Sequence, residues 1–149
     1  MSIFATVFKP NQDKTFSLLG NTITCKFNSN AEGGRIYEFL ALASSGVPPL
    51  HSHPWDESFY FLEGEVTLQV ETQTVQATPG YFVNLPAGVA YTFQVRSPQA
   101  KFLVWVSNAA AETYINELAQ AAQERSLTLE AVNAIAQKHN IQFVKLPSS

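Results

Sequence analysis

Up to residue 107 the chain is a succession of short runs in which apolar and polar positions alternate, separated at close intervals by Gly, Pro, Asn and Ser. This is the mark of a sandwich or barrel, because the side chains of a strand alternate between two faces. Thr15 to Leu19 and Thr22 to Phe27 flank Gly20-Asn21, a turn dipeptide that predicts a β-hairpin. Asn28 to Gly34 reads as a loop. Arg35 to Ala43 follows as an extended run, with Tyr37, Phe39 and Ala41 on one face and Glu38, Leu40 and Leu42 on the other. Ser58 to Leu62 and Glu65 to Val70 are expected to meet in a tight hairpin at Glu63-Gly64, where a glycine takes a positive φ at no steric cost. Thr74 to Ala77, Tyr81 to Leu85, Tyr91 to Arg96 and Lys101 to Ser107 continue the pattern. Tyr91, Phe93 and Val95 share a face, and Phe102, Val104 and Val106 alternate against Leu103 and Trp105.

From Asn108 the period changes to that of a helix. Asn108 is placed to cap a helix with an apolar stripe of Ile115, Leu118, Ala119 and Ala122, and Thr128 a second with Leu129, Val132, Ile135 and Ala136. Asn140 fits a helix stop, and Ile141 to Val144 either returns as a short strand or lies over the barrel. Residues 1–107 are thus expected to form the β-barrel and 108–149 a helical extension packed on it, within one domain. Two linked helices suggest a DNA reader, but Glu112, Glu117, Glu124 and Glu130 face only Arg125 and Lys138 there, a balance that repels phosphate.

Composition supports one globular domain: 149 residues, 46% hydrophobic and 14% charged, can bury a sizeable core. A net charge of −3 offers no basic footprint for nucleic acid or an anionic membrane, which points to a small-molecule partner. Cys25 is the single cysteine, the opening Met1 to Lys9 lacks the basic start and apolar run of a secretion signal, and no stretch approaches the roughly 18 apolar residues that span a bilayer. The expected location is the cytoplasm.

The candidate chemistry lies between Gly46 and Gly64. On a strand His51 and His53 project to the same side, so that two imidazoles aim at one point. Pro54 has no N–H for a ladder and is expected to end that strand, with a turn through Trp55 and Asp56. Glu57 then opens the next strand, sharing a face with Phe59 and Phe61, whereas Asp56 has the wrong parity and points away. Two neutral imidazoles and a carboxylate suit a divalent transition metal (Fe, Mn, Co, Ni, Cu or Zn) with positions left open for water or substrate. The plainer alternative is a pair of strand-end histidines on a wet surface beside a solvated acid.

His51, His53, Glu57 and Gly64 fall at the spacing of the first conserved motif of the cupin superfamily, which this stretch resembles; Gly46 sits one residue closer to the first histidine than that motif has it. Gly80, Pro86 and Gly88 match the second motif, but Tyr91 stands where its histidine belongs and Val95 where its asparagine belongs. The resemblance implies a jelly-roll barrel, mainly β, with His51, His53 and Glu57 as metal ligands and the fourth ligand missing. A phenol must lose its proton, at a pKa of about 10, to ligate strongly. Tyr91 therefore has three roles open: contact with a metal-bound water or substrate, packing as a barrel-lining aromatic whose hydroxyl a neighbour satisfies, or direct ligation.

With its C-terminal helices and aromatic lining the chain is similar to the quercetin-dioxygenase-like cupins in particular. That implies an oxygenase-like enzyme acting on a small aromatic or planar substrate, with Glu57 as both ligand and base, Tyr91 as a catalytic contact, and Phe59, Phe61, Tyr91 and Phe93 walling an apolar pocket. A metal-free or non-catalytic small-molecule-binding cupin is the alternative. A metal-dependent isomerase or lyase is a third reading, disfavoured because few charged residues fall on the inner faces. A homodimer is expected, since exposed strand edges in such barrels are covered by a partner.

Overall fold

The computed structural model describes residues 5, 7–9, 14–28, 33–124 and 127–144. Most of the opening segment, the centre of the 28–34 loop and Arg125 lie outside the described residues. Among the described residues ten strands precede the helices: Thr15–Leu18 (β1), Asn21–Asn28 (β2), Arg35–Leu42 (β3), His51–Ser52 (β4), Glu57–Glu63 (β5), Val66–Val70 (β6), Gln73–Ala77 (β7), Phe82–Leu85 (β8), Tyr91–Val95 (β9) and Gln99–Val106 (β10). Helices Ala110–Glu124 (α1) and Leu129–Lys138 (α2) and a short strand, Gln142–Phe143 (β11), follow. All strand pairs are antiparallel, in a six-stranded sheet ordered β1-β2-β3-β10-β5-β8 and a five-stranded sheet ordered β11-β4-β9-β6-β7.

The alternation read from the sequence sets the core. Ile23, Tyr37, Ala41, Phe59, Phe61 and Phe102 point inward from the six-stranded sheet and meet Val66, Leu68, Tyr91 and Val95 of the other. Phe102 is the hub, with ring centroids 5.3 Å from Phe39, 5.4 Å from Phe61 and 5.9 Å from both Phe59 and Phe93.

Three local expectations are corrected. The first hairpin turns on Leu19-Gly20 rather than Gly20-Asn21: both turn residues have positive φ (51° and 85°), the pair that a two-residue turn matching strand twist requires, and Asn21 already pairs with Leu18. Glu63-Gly64 does not close a hairpin, because β5 lies in one sheet and β6 in the other. Gly64 is a corner, and a Cβ there would meet the Gln99 carbonyl, Ser97 Oγ at 2.6 Å and the Ala100 Cα at 2.8 Å, so the strand can cross between sheets only without a side chain. The α2 stripe is not buried as a whole: only Ala136 is, and Leu129 is 72% exposed.

The helix signals act as caps. Asn108 Oδ1 accepts from Ala110 N at 2.9 Å, and Thr128 Oγ1 from Ala131 N at 3.1 Å. α1 buries Ala111, Leu118 and Ala119 and is tied to the barrel by Glu112, whose Oε2 accepts from Arg35 Nε at 2.8 Å and Oε1 from Lys14 Nζ at 3.2 Å. Asn140, with φ of 60°, ends α2, and Ile141 N returns to the Ala136 carbonyl. β11 then pairs with β4, setting Phe143 opposite His51. The C-terminal extension is thereby stitched to the strand that carries the histidines.

Candidate small-molecule site at the mouth of the barrel

His51, His53, Trp55 and Glu57 share odd parity, and the structure brings all four together. β4 spans only His51 and Ser52, ending two residues before Pro54. The next residues are held by backbone bonds: Gly88 N donates to the His53 carbonyl and Ser107 N to that of Asp56. Asp56 faces away, as its parity requires, and its Oδ1 accepts from Ala87 N at 2.8 Å, locking this turn onto the Pro86–Gly88 turn.

Glu57 is the centre. It is 7% exposed; its Oε1 accepts from Trp55 Nε1 at 2.8 Å and its Oε2 from Tyr91 OH at 2.8 Å. Burial pushes its carboxyl pKa up, opposed by these two hydrogen bonds and by nearby His51. Burial lowers both histidines to about 4, so both imidazoles are neutral at neutral pH. His51 Nδ1 lies 2.6 Å from the Pro49 carbonyl; it carries the ring proton, and Nε2 keeps a lone pair. His53 stacks on Trp55, centroids 4.9 Å apart, with Nδ1 3.5 Å from Glu57 Oε1. Tyr91 lies against His51 at 4.8 Å, and burial, followed by the Glu57 charge, raises its phenol well above the usual range.

The three expected metal ligands, His51, His53 and Glu57, come together. The three side chains are neighbours, but among the described residues no three His, Cys, Asp or Glu side chains are arranged to hold a metal ion. Each oxygen of Glu57 accepts a hydrogen bond from a neutral group, and the phenol that replaces the fourth imidazole points its O–H at the carboxyl. Each oxygen keeps a second lone pair, so these hydrogen bonds orient the carboxyl without excluding a metal ion or a ligand proton. Tyr91 takes the place of a barrel-lining aromatic whose hydroxyl is satisfied by a neighbour, that neighbour being Glu57.

The cluster forms the polar floor of a cavity of about 430 Å³. Phe59, Tyr91 and Phe93 line it; Phe61 does not, because it lies one layer deeper, packed with Phe59, Phe93 and Phe102. Leu18 and Leu19 of the first hairpin, Val47, Ile115 and Leu118 of α1, and Leu129 and Val132 of α2 form the aliphatic upper wall. The incompletely buried face of α2 is thus a cavity wall. Tyr114 of α1 reaches over His53 and Trp55, with centroids 6.2 and 6.1 Å away and its phenol raised to about 12 by burial. Tyr37, also in the lining, has a buried hydroxyl with no hydrogen-bond partner. Trp55 was legible from its parity with His53 and Glu57 and from the need of a buried indole N–H for an acceptor. Tyr114 and Phe143 carry no such signal.

Residues 39–107 match the family described as Cupin domain. Over 54 residues the chain is 33% identical to quercetin 2,3-dioxygenase of Bacillus subtilis (strain 168), a match that covers 36% of this chain and 16% of that enzyme. Among solved structures, KdgF from Halomonas sp. superposes with a TM-score of 0.64 at 13% identity, covering 72% of this chain and 99% of that one. The polyketide cyclase RemF from Streptomyces resistomycificus gives 0.58 at 20%, covering 70% and 80%. A cupin-2 domain from Rhodospirillum rubrum gives 0.58 at 16%, covering 72% and 77%. Residues 39–107 thus carry the match to the cupin domain, and the barrel has the fold of the cupin-2 domain on which it superposes. No described helix is long and apolar enough to cross a membrane.

Proposed function

We propose that this cupin binds a small, largely apolar, planar molecule bearing a hydroxyl group, and that Glu57 receives the hydroxyl proton. One observation carries this reading: a buried carboxyl, held from both sides by neutral donors, opens on a mostly apolar cavity with aromatic walls. Burial raises the proton affinity of Glu57, which makes it a better base than an exposed carboxylate. Trp55 and Tyr91 fix its orientation, and His51 Nε2 offers a second acceptor. Phe59 and Phe93 supply flat apolar surface for the body of the ligand, and Tyr114 covers it from α1.

Quercetin is the first probe, because the relative from B. subtilis is named for it. The expected result is saturable binding by titration calorimetry, weakened about tenfold or more in Glu57→Gln, since a hydrogen bond to a charged group is worth about 1.5–3 kcal/mol, and blocked in Phe93→Trp, which fills the cavity. Absence of binding for quercetin and simpler planar phenols, or binding untouched by both substitutions, overturns the reading.

The lone pair on His51 Nε2 favours a second reading. In it His51, His53 and Glu57 hold a divalent transition metal that would supply oxygenase-like chemistry. Elemental analysis of protein purified without chelator separates the two. Stoichiometric metal that disappears in His51→Ala establishes the second reading; no uptake of Fe, Mn, Co, Ni, Cu or Zn leaves the first.

A further inference from the structure

The two sheets present opposite outer surfaces. On the five-stranded sheet the outward residues are polar: Thr67 and Gln69 on β6, Thr74 and Gln76 on β7, Thr92 and Gln94 on β9. On the six-stranded sheet the register puts Phe27 beside Ile36, Ile36 beside Trp105, and Leu103 beside Tyr60, which pairs with Phe82. Tyr60, Trp105 and Phe27 are nearly half exposed and Phe82 is 64% exposed. A single-layer barrel wall is ordinarily polar on its wet side, so an aromatic outer face needs a cover. Neither helix provides one, since α1 packs on β1 and α2 at the barrel mouth.

We infer that the outer face of the six-stranded sheet mates with the same face of a second copy of this chain. Charge is the first argument. A line of ion pairs crosses the face through four successive strands: Lys26 on β2 to Glu38 on β3 (3.7 Å), Glu38 to Lys101 on β10 (3.5 Å), and Lys101 to Glu63 on β5 (3.9 Å). The signs alternate and are antisymmetric about the line between β3 and β10. A two-fold axis along the strands at that line lays β2 over β5 and β3 over β10 of the second copy. Every lysine of the line then meets a glutamate, Lys26 over Glu63 and Glu38 over Lys101, and Ile36 meets Trp105. An isologous interface requires such self-complementarity.

Area is the second argument. The half-exposed aromatics, with Leu42 and Leu62 beside them, offer on the order of 500 Å² of apolar surface. With the surrounding polar residues this approaches the roughly 800 Å² that each partner gives to a standard interface, with an apolar core and a polar rim. The cover is thus a sheet face, where the sequence suggested strand edges.

Sedimentation velocity at micromolar concentration tests the inference independently of any ligand. Wild type is expected to sediment as a dimer, and Tyr60→Lys with Phe82→Lys to weaken association at least about 100-fold, the effect of replacing two exposed aromatic anchors with charge. Thr67→Lys with Gln94→Lys on the polar sheet is expected to leave the dimer intact. Phe82→Ser, which removes area without adding charge, covers the case in which the double lysine variant misfolds, and is expected to weaken the dimer about tenfold or more. A monomeric wild type, or a dimer that survives both Phe82 variants, overturns the inference.

Discussion

Tyr91→Phe is the perturbation that most directly tests how the floor of the cavity is held. It removes one hydroxyl and leaves the ring, so the contacts with His51 at 4.8 Å and Phe59 at 5.5 Å persist. What is lost is the hydrogen bond to Glu57 Oε2 at 2.8 Å, between side chains 6% and 7% exposed. A hydrogen bond to a charged group contributes about 1.5–3 kcal/mol, so a destabilisation of about 2 kcal/mol is expected at neutral pH, or about 4–8 °C in melting temperature for a chain of this size. Because the Tyr91 hydrogen bond holds the Glu57 pKa down, its removal pushes that pKa further up. Urea denaturation of wild type, Tyr91→Phe, the near-isosteric Glu57→Met and the double variant measures the coupling. A coupling of about 1.5 kcal/mol or more is expected; additivity within about 0.5 kcal/mol would refute the bond.

Two further outcomes follow from other parts of the fold. Gly64→Ala forces a Cβ against the 97–100 segment at φ of 83°, and is expected to cost about 3 kcal/mol or more by denaturation; a loss below about 1 kcal/mol would mean that the corner relaxes freely. For Glu112, burial raises the carboxyl pKa, but hydrogen bonds and charge from Arg35 and Lys14 outweigh it and leave the value lowered. The unfolded chain then binds the proton more tightly, so the stabilisation is complete above the ordinary carboxylate range and is lost as pH falls through the lowered value. Glu112→Gln is expected to lower stability by about 1 kcal/mol at neutral pH and to flatten the acid decline; an unchanged acid profile would contradict the pairing.

What the sequence determined by itself is what depends on short separations. Period-two alternation placed Phe59, Tyr91, Phe93, Phe102 and Val104 on inner faces, and cap chemistry at Asn108 and Thr128 placed both helix starts. The spacing of His51, His53, Glu57, Gly64, Gly80, Pro86 and Gly88 was enough to indicate the family, because each answers a local demand of strand parity or turn conformation. What only the tertiary structure decided is what depends on which strands become neighbours. Tyr91 meets Glu57 across 34 positions of chain, and Trp55 reaches the same carboxyl because its turn keeps the parity of the strand before it. Gly64 had the right conformation for a hairpin, yet it makes a corner, since the packing of Gln99 and Ala100 against it, and not its own φ, sends β6 into the other sheet. The helices were legible as helices, but their role as a wall over the histidines follows from Glu112 reaching Arg35 and from β11 pairing with β4. Local patterns set the face on which a side chain lies; long-range packing sets its partner, and in this chain the partner decides the chemistry of Glu57.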